Sequence, residues 1–267
     1  MTIVIIIFVC FFASAAGSIC GIGGGVLIRP ILDATGRMDV ASVSFLSGCT
    51  VLSMSAVSLY RHLRNNRDVR FDKTFASVLA VGSVFGGILG KSAFQYLLQT
   101  TKTESRAAAI QAFLLLILTA GTLVYELYKE NITARHVQNR FAVFLIGYFL
   151  GLLSAFLGIG GGPFHLIALF YLFSLKTKDA ALYSIYIILF SQAASLCYSI
   201  FSGSVPAFRM EILLLMTGCG ILGGLAGSAI SQNIDHKMVD RLFTALMALM
   251  ILISLYNIYR SLSPAFS

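Results

Sequence analysis

The sequence contains no tryptophan and very little charge. Only 11% of its 267 residues are Asp, Glu, Lys or Arg, against about 25% in a typical soluble domain. No stretch is long and polar enough to form a separate soluble domain. Together with the 58% of hydrophobic residues, this scarcity of charge excludes an ordinary soluble protein. It predicts an all-α polytopic membrane protein that has the lipid bilayer as a partner.

Paired cysteines and mid-span carboxylates are also missing. The five cysteines all lie in apolar runs and none forms a Cys-x-x-Cys pair, so we expect no disulfide framework, no metal site and no cofactor. No carboxylate lies clearly in the middle of an apolar run, which argues against a proton pump built on buried Asp or Glu. The net charge of +8 comes from basic residues between apolar runs, where they set orientation. We therefore expect no nucleic-acid partner.

A glycine motif is present twice. The residues Gly-Ile-Gly-Gly-Gly occupy positions 21–25 and return at positions 158–162. The same shift of 137 residues aligns the glycines at 86–87 with those at 223–224, and Gly90 with Gly227. Two motifs that keep one offset indicate a duplication. We predict a first repeat over residues 1–130 and a second over residues 131–267.

Each motif is predicted to break a helix, because glycine is less favourable than alanine in a helix by up to ~1 kcal/mol. Within a bilayer, a broken helix is tolerated only where it is buried in protein or lines a wet cavity. Breaks at corresponding positions of two halves indicate the binding site of a transporter. If they are re-entrant, each half has three transmembrane helices and the repeats are inverted; if they cross, each half has four and the repeats are parallel. The re-entrant arrangement places twelve Lys and Arg inside and five outside, against ten and seven for the crossing one. The positive-inside rule therefore favours inverted repeats.

A short helix is expected to begin after each motif, at Val26 and at Pro163, where proline suits a first helical position. A helix N-terminus presents free N–H groups and about half a positive charge, so two such starts near the bilayer midplane can bind an anion. The alternative is that the glycines only permit tight packing. We expect alanine at Gly24 or Gly161 to weaken anion binding and to leave the protein folded. The candidate substrate-binding residues are Gly21, Gly23, Gly24, Gly25, Val26, Arg29, Ser47, Gly158, Gly160, Gly161, Gly162, Pro163, His165 and Gln192.

For the polar side chains among these candidates, two interpretations stay open. Arg29 could face the anion, or snorkel to the interface and pair with Asp33. His165 could contact the anion or carry a proton, or it could be a packing residue. Lys91 is expected to snorkel or to pair with a backbone carbonyl. Ser47 and Gln192 could wet the pathway or hydrogen-bond neighbouring helices.

The first motif and its flank, residues 21–32, resemble the opening signature of the sulfite exporter TauE/SafE family, including Pro30 after the glycines. The basic loop 61–70 and the glycine-rich third span match as well. The second copy departs from the pattern, with Ile167 in place of the later proline and an early Pro163. The resemblance implies a transporter of sulfite, sulfonates or related sulfur-containing anions, usually an exporter, in the cytoplasmic membrane.

Two other functions remain as alternatives. One is an uptake permease for another organic or inorganic anion on the same fold. The other is a membrane-embedded hydrolase with His165 as its base, although no recognisable nucleophile motif accompanies it. We expect that the protein is not an enzyme and has no catalytic residue. The oligomeric state stays open, with a homodimer as one alternative.

Overall fold

The protein is all-helical. The computed structural model describes residues 2–36, 38–65, 72–101, 104–129 and 135–262, and these residues contain no β-strand. The described helices are α1 Thr2–Cys20, α2 Gly25–Thr35, α3 Val40–Asn65, α4 Lys73–Thr100, α5 Glu104–Tyr128, α6 Arg140–Leu157, α7 Pro163–Phe173, α8 Thr177–Phe201, α9 Met210–Asn233 and α10 His236–Leu262. The predicted all-α class is thereby confirmed, and the two internal repeats stay a prediction.

Eight of these helices are long and apolar enough to cross a membrane. The exceptions are α2 and α7, which have 11 residues each and directly follow the glycine motifs. At 1.5 Å per residue such a helix is roughly 16 Å long, about half of a ~30 Å hydrocarbon core. Neither short helix can span a bilayer alone. The chain is therefore a multi-pass membrane protein with one half-length helix after each break.

Each short helix turns back along the helix that precedes it. In the second half, the N–H groups of Arg135 and Val137, just before α6, donate to the carbonyls of Tyr171 and Leu172 at the end of α7. Helix α7 therefore ends where α6 begins. In the first half, Gly24 lies against the backbone of Ser14, in the middle of α1, so the chain reverses direction after the motif.

The two hairpins finish at opposite ends of the helix bundle. Thr177, just after α7, donates to the carboxylate of Asp240 at the start of α10 (3.1 Å). Arg260, near the end of α10, donates to the carbonyl of Ala34 at the end of α2. Since Asp240 and Arg260 are about five to six turns apart in α10, these two ends lie roughly 30 Å apart. This is the geometry that inverted repeats require, and the inversion across a real bilayer stays a prediction.

Glycines let helices of one half touch the backbone of the other half. A Cβ at Gly86 of α4 would press on the carbonyl of Tyr148 in α6, and a Cβ at Gly223 of α9 would press on the carbonyl of Phe11 in α1. The two contacts correspond under the 137-residue shift, which relates Gly86 to Gly223 and Phe11 to Tyr148. The same offset relates two further pairs of contacts. The contact of Gly87 with Ser191 corresponds to that of Gly224 with Met54, and the contact of Gly90 with Leu152 corresponds to that of Gly227 with Ala15. Each half thus packs its third long helix on the other half. A two-fold arrangement of duplicated halves would produce this exchange.

The outward faces of the long helices are apolar. Phe8 and Phe12 of α1, Phe113 of α5 and Phe149 of α6 are all more than half exposed. A soluble monomer rarely exposes so many large apolar side chains, whereas lipid-facing positions favour them. The polar side chains of the core, among them Arg29, Lys91 and Gln192, are buried instead.

Candidate functional site

The backbone of the two breaks has matching conformations. Gly21 and Gly23 have φ angles of 76° and 78°, and Gly158 and Gly160 have φ angles of 60° and 75°. This left-handed region favours glycine, because a Cβ clashes with the backbone there. The positions correspond under the 137-residue shift, so both motifs end their first helix in the same way. Sequence analysis predicted the breaks, and their conformation explains why these four positions are glycine.

The two breaks meet backbone to backbone inside the bundle. A Cβ at Gly161 would lie 2.9 Å from the carbonyl oxygen of Ile22, and one at Gly23 would lie 3.9 Å from the Cα of Gly161. Gly25 is packed directly on the carbonyl of Ile159. All residues of both motifs are buried. The fold therefore brings the starts of α2 and α7 to one place, as the candidate site requires.

Backbone N–H groups at this meeting point lack protein acceptors. Within the described residues, the N–H groups of Gly23, Gly24, Gly25 and Val26 donate no hydrogen bond. The same holds for Gly160, Gly161 and Gly162 in the second break. The first N–H groups of a helix always lack an acceptor within that helix, and here two such helix starts lie together among buried residues. Together with the positive ends of the two helices, this group of donors is suited to an anion.

Gln192 adds a side-chain donor to the same place. It is only 2% exposed, and its Nε2 has no hydrogen-bond partner among the described residues. A Cβ at Gly160 would lie 3.3 Å from the Gln192 Cδ, so the amide borders the second break. Ser47 also reaches this break, where it donates to the carbonyl of Gly158 (3.1 Å). The hydroxyl of Ser47 is therefore engaged, whereas Gln192 retains two N–H bonds for a ligand.

Two branched apolar side chains cover the meeting point. Val51 of α3 contacts Gly23 and Gly160, while Ile188 of α8 contacts Gly23 and Gly161. Val51 and Ile188 are themselves related by the 137-residue shift. They were not among the predicted site residues, although alignment of the two halves could have found them. Val51 and Ile188 therefore border the place where a ligand would meet both breaks.

Arg29 lies one turn into α2 and is buried, with 2% exposure. Its guanidinium donates to the carbonyl of Leu157 and to the side-chain oxygen of Gln111, and it pairs with the carboxylate of Asp33 at 3.6 Å. The expected pair with Asp33 is therefore present. Acceptors from α5 and α6 also hold the guanidinium, and whether Arg29 lies at the membrane interface stays a prediction.

A cavity of about 220 Å³ lies beside Arg29, between α2, α5 and α10. Its wall includes the side chains of Asp33, Gln111, Asn257 and Arg260. Since one water molecule takes about 30 Å³ in the liquid, the cavity has room for several waters or a small ion. Ile159 of the second break also lines the cavity, so the cavity adjoins the place where the breaks meet.

His165 belongs to a different polar group. Its Nε2 lies 2.8 Å from the Ser154 hydroxyl and 3.2 Å from the Leu150 carbonyl, and its Nδ1 lies 3.5 Å from the Ser184 hydroxyl. The ring is fully buried, and both of its nitrogens have neighbours outside the breaks. This arrangement is that of a satisfied packing histidine. No described carboxylate orients the ring for a hydrolase.

Among the other predicted residues, Gly21 packs on Ala181 of α8 and Pro163 is the first residue of α7. Gly162 has an extended backbone with φ at −178°. At Gly24, a Cβ would lie 2.9 Å from the Cα of Ser14, and at Gly161 it would overlap Ile188. Alanine at either position would thus force neighbouring segments apart. The expectation that these two variants leave the fold intact has no support in this packing.

Comparisons with known proteins agree with this architecture. The family model described as "Sulfite exporter TauE/SafE" matches residues 6–254. The chain is also similar to a protein of Bacillus subtilis (strain 168) called "Probable membrane transporter protein YunE". The two are 23% identical over 258 residues, which cover 90% of this chain and 92% of the relative. No solved structure matches the chain.

Proposed function

Because the chain belongs to the sulfite exporter TauE/SafE family, we propose that it exports a small sulfur-containing anion, such as sulfite or an organosulfonate, across the cytoplasmic membrane. The anion binds where the two glycine breaks meet. The sulfur chemistry of this proposal comes from the family, and the anion chemistry comes from the site.

The observation that carries the proposal is the group of free donors at the breaks. The N–H groups at the starts of α2 and α7 have no described acceptor, and the Nε2 of Gln192 beside them is also unpaired. Hydrogen bonds to a charged ligand contribute about 1.5–3 kcal/mol each. Several donors directed at one anion can therefore offset much of its dehydration. Backbone donors suit any oxyanion, so this site selects charge and size more than chemical identity.

Transport requires the cover of the site to open. Val51 and Ile188 come from α3 and α8, one from each half, and both contact the breaks. A small tilt of the halves would move one of them away and expose the site to one end of the bundle. A negative cell interior favours outward movement of an anion by ~2.3 kcal/mol per charge per 100 mV. Export therefore needs no coupled ion.

The test replaces Gln192, whose side chain is the one donor that can be removed without touching the break backbone. Gln192→Met keeps the length of the side chain and removes the amide. The matched control is Gln232→Met, because Gln232 also has an unpaired, buried Nε2 but lies near the end of α9. Purified proteins are reconstituted in vesicles, and sulfite, an organosulfonate, sulfate and a carboxylate are assayed in both directions.

We expect sulfite or sulfonate flux in the wild type and in Gln232→Met. In Gln192→Met we expect the concentration for half-maximal flux to rise about ten- to a hundredfold, as loss of one charge-assisted hydrogen bond implies. If Gln192→Met and the wild type have equal affinity, the anion does not bind at the glycine breaks. Flux of carboxylates alone, or inward flux alone, would favour the uptake permease.

A further inference from the structure

Lys91 is a buried cation without a counter-charge. Its side chain is in the middle of the long helix α4, and the residue is 6% exposed. Its Nζ donates to the hydroxyl of Ser44 at 3.4 Å and lies 5.2 Å from the centre of the Phe94 ring. No carboxylate among the described residues pairs with it. The sequence-based expectation that Lys91 snorkels or pairs with a backbone carbonyl is therefore wrong.

Arg29 shares this location with Lys91. The guanidinium of Arg29 lies 5.3 Å from the centre of the same Phe94 ring. Both the Arg29 guanidinium and the Ser44 hydroxyl occupy the space that a Cβ at Gly158, at the start of the second break, would need. The two cations face one described carboxylate, Asp33, which pairs with Arg29. The group thus holds one unbalanced positive charge.

An unbalanced charge in a bilayer is strongly unfavourable unless it is neutralised. An ammonium offers three N–H donors, and the Lys91 ammonium has one long bond to Ser44 and one ring face. A ligand anion would supply the missing charge and accept the remaining donors. The cavity beside Arg29 has room for such an anion near this group, because Arg29 borders both the cavity and Gly158.

We propose that Lys91, Ser44 and Arg29 form a second anion-binding site, next to the glycine breaks, that takes a small monovalent oxyanion. This inference rests on the proposed function, because the ligand is the transported anion on its way to or from the breaks. Lys91 supplies the charge, and Ser44 orients its ammonium. The helix starts then receive an anion that has already lost much of its water.

Two variants test the site, with bisulfite and methanesulfonate as probes of anion binding. Lys91→Met removes the charge and keeps an unbranched apolar stem. Ser44→Asp places a carboxylate beside the ammonium, so that the protein supplies its own counter-ion. Lys73→Met is the matched control, because Lys73 is at the exposed start of the same helix. Thermal unfolding in detergent and equilibrium binding are measured on each protein with and without the probe.

We expect Lys91→Met and Ser44→Asp to unfold, without anion, at the wild-type temperature or above it, because the unbalanced charge is gone. Both should lose the anion-dependent rise in unfolding temperature, and their Kd should increase about ten- to a hundredfold. Lys73→Met should match the wild type.

Wild-type Kd in Lys91→Met overturns the proposal, and so does an unfolding temperature of Lys91→Met, measured without anion, that is below that of the wild type. If Lys91→Met does not fold at all, wild-type Kd in Ser44→Asp overturns it instead. These results leave the proposed function intact. A wild type that binds and transports none of the anions refutes the proposed function as well.

Discussion

Gly86 offers the sharpest test of how the two halves are held together. A Cβ at this position would lie well inside 3.0 Å of the Tyr148 carbonyl oxygen, a separation that real Cβ atoms essentially never show. The obstacle is backbone, which cannot rotate away. Helices α4 and α6 would have to separate by on the order of 1 Å to restore van der Waals contact. Neighbouring contacts at Gly82 and Gly90 would loosen with them.

We therefore expect Gly86→Ala to destabilise the protein by about 1–3 kcal/mol, the usual range for overpacking. The controls are Gly121→Ala in α5 and Gly218→Ala in α9, where nothing lies within 4 Å of the added Cβ. These should be neutral or stabilising by up to ~1 kcal/mol, because alanine is the better helix former. Thermal unfolding of the three variants in one detergent measures the difference.

Gly223→Ala provides a second arm, because Gly223 makes the corresponding contact with the Phe11 carbonyl of α1. It should destabilise the protein to a similar degree. If Gly86→Ala melts at the same temperature as Gly121→Ala, the close approach of α4 and α6 does not exist, and the exchanged packing of the halves is refuted with it.

Further expectations concern topology, the cover of the site and a helix start. In a cysteine-free background, cysteines at Asp39 and Ser174, which follow the two short helices, should react from opposite sides of the membrane; labelling from one side would show that the repeats are parallel. Val51→Ala should lower stability by ~1–3 kcal/mol and let bulkier sulfonates through, and unchanged selectivity in vesicles would show that Val51 does not close the site. Asp72 accepts bonds from the N–H groups of Thr74 and Phe75 at the start of α4, so Asp72→Ala should reduce the unfolding free energy by ~0.5–2 kcal/mol, and chemical denaturation in detergent that gives the wild-type value would argue against this cap.

Much of the fold could be predicted from local sequence. Apolar runs specify the long helices, because a bilayer leaves the backbone few other structures. The glycine motifs at 21–25 and 158–162 specify the breaks, since two glycines in each motif have φ angles that are unfavourable for other residues. The half-length helices α2 and α7 follow from the breaks and from the polar turns that end them.

The surroundings of the buried polar side chains could not be predicted in the same way. Arg29 is held inside by acceptors at Leu157 and Gln111, which are far away in the sequence. His165 finds its partners on α6 and α8. Whether Lys91 reaches water depends on which face of α4 is turned toward the interior of the bundle, and a nearly uniform apolar run carries little information about faces. The charge of Lys91 alone predicted snorkelling, whereas the packing of the helices buries this side chain.

The exchanged packing of the halves has a consequence for biosynthesis. Helix α1 rests on the backbone of α9, and Arg29 of α2 binds the Leu157 carbonyl. While the ribosome is still making the first half, neither of these partners exists. The first hairpin must therefore remain in the bilayer without the Leu157 acceptor of its arginine, which has only Asp33 and Gln111 of the first half, until the second half has been translated and inserted. The first hairpin is thus made first but reaches its final contacts last. In a chain truncated after α5, Arg29 would lack its Leu157 acceptor, and the insertion and quality-control machinery could recognise this incompletely bonded arginine.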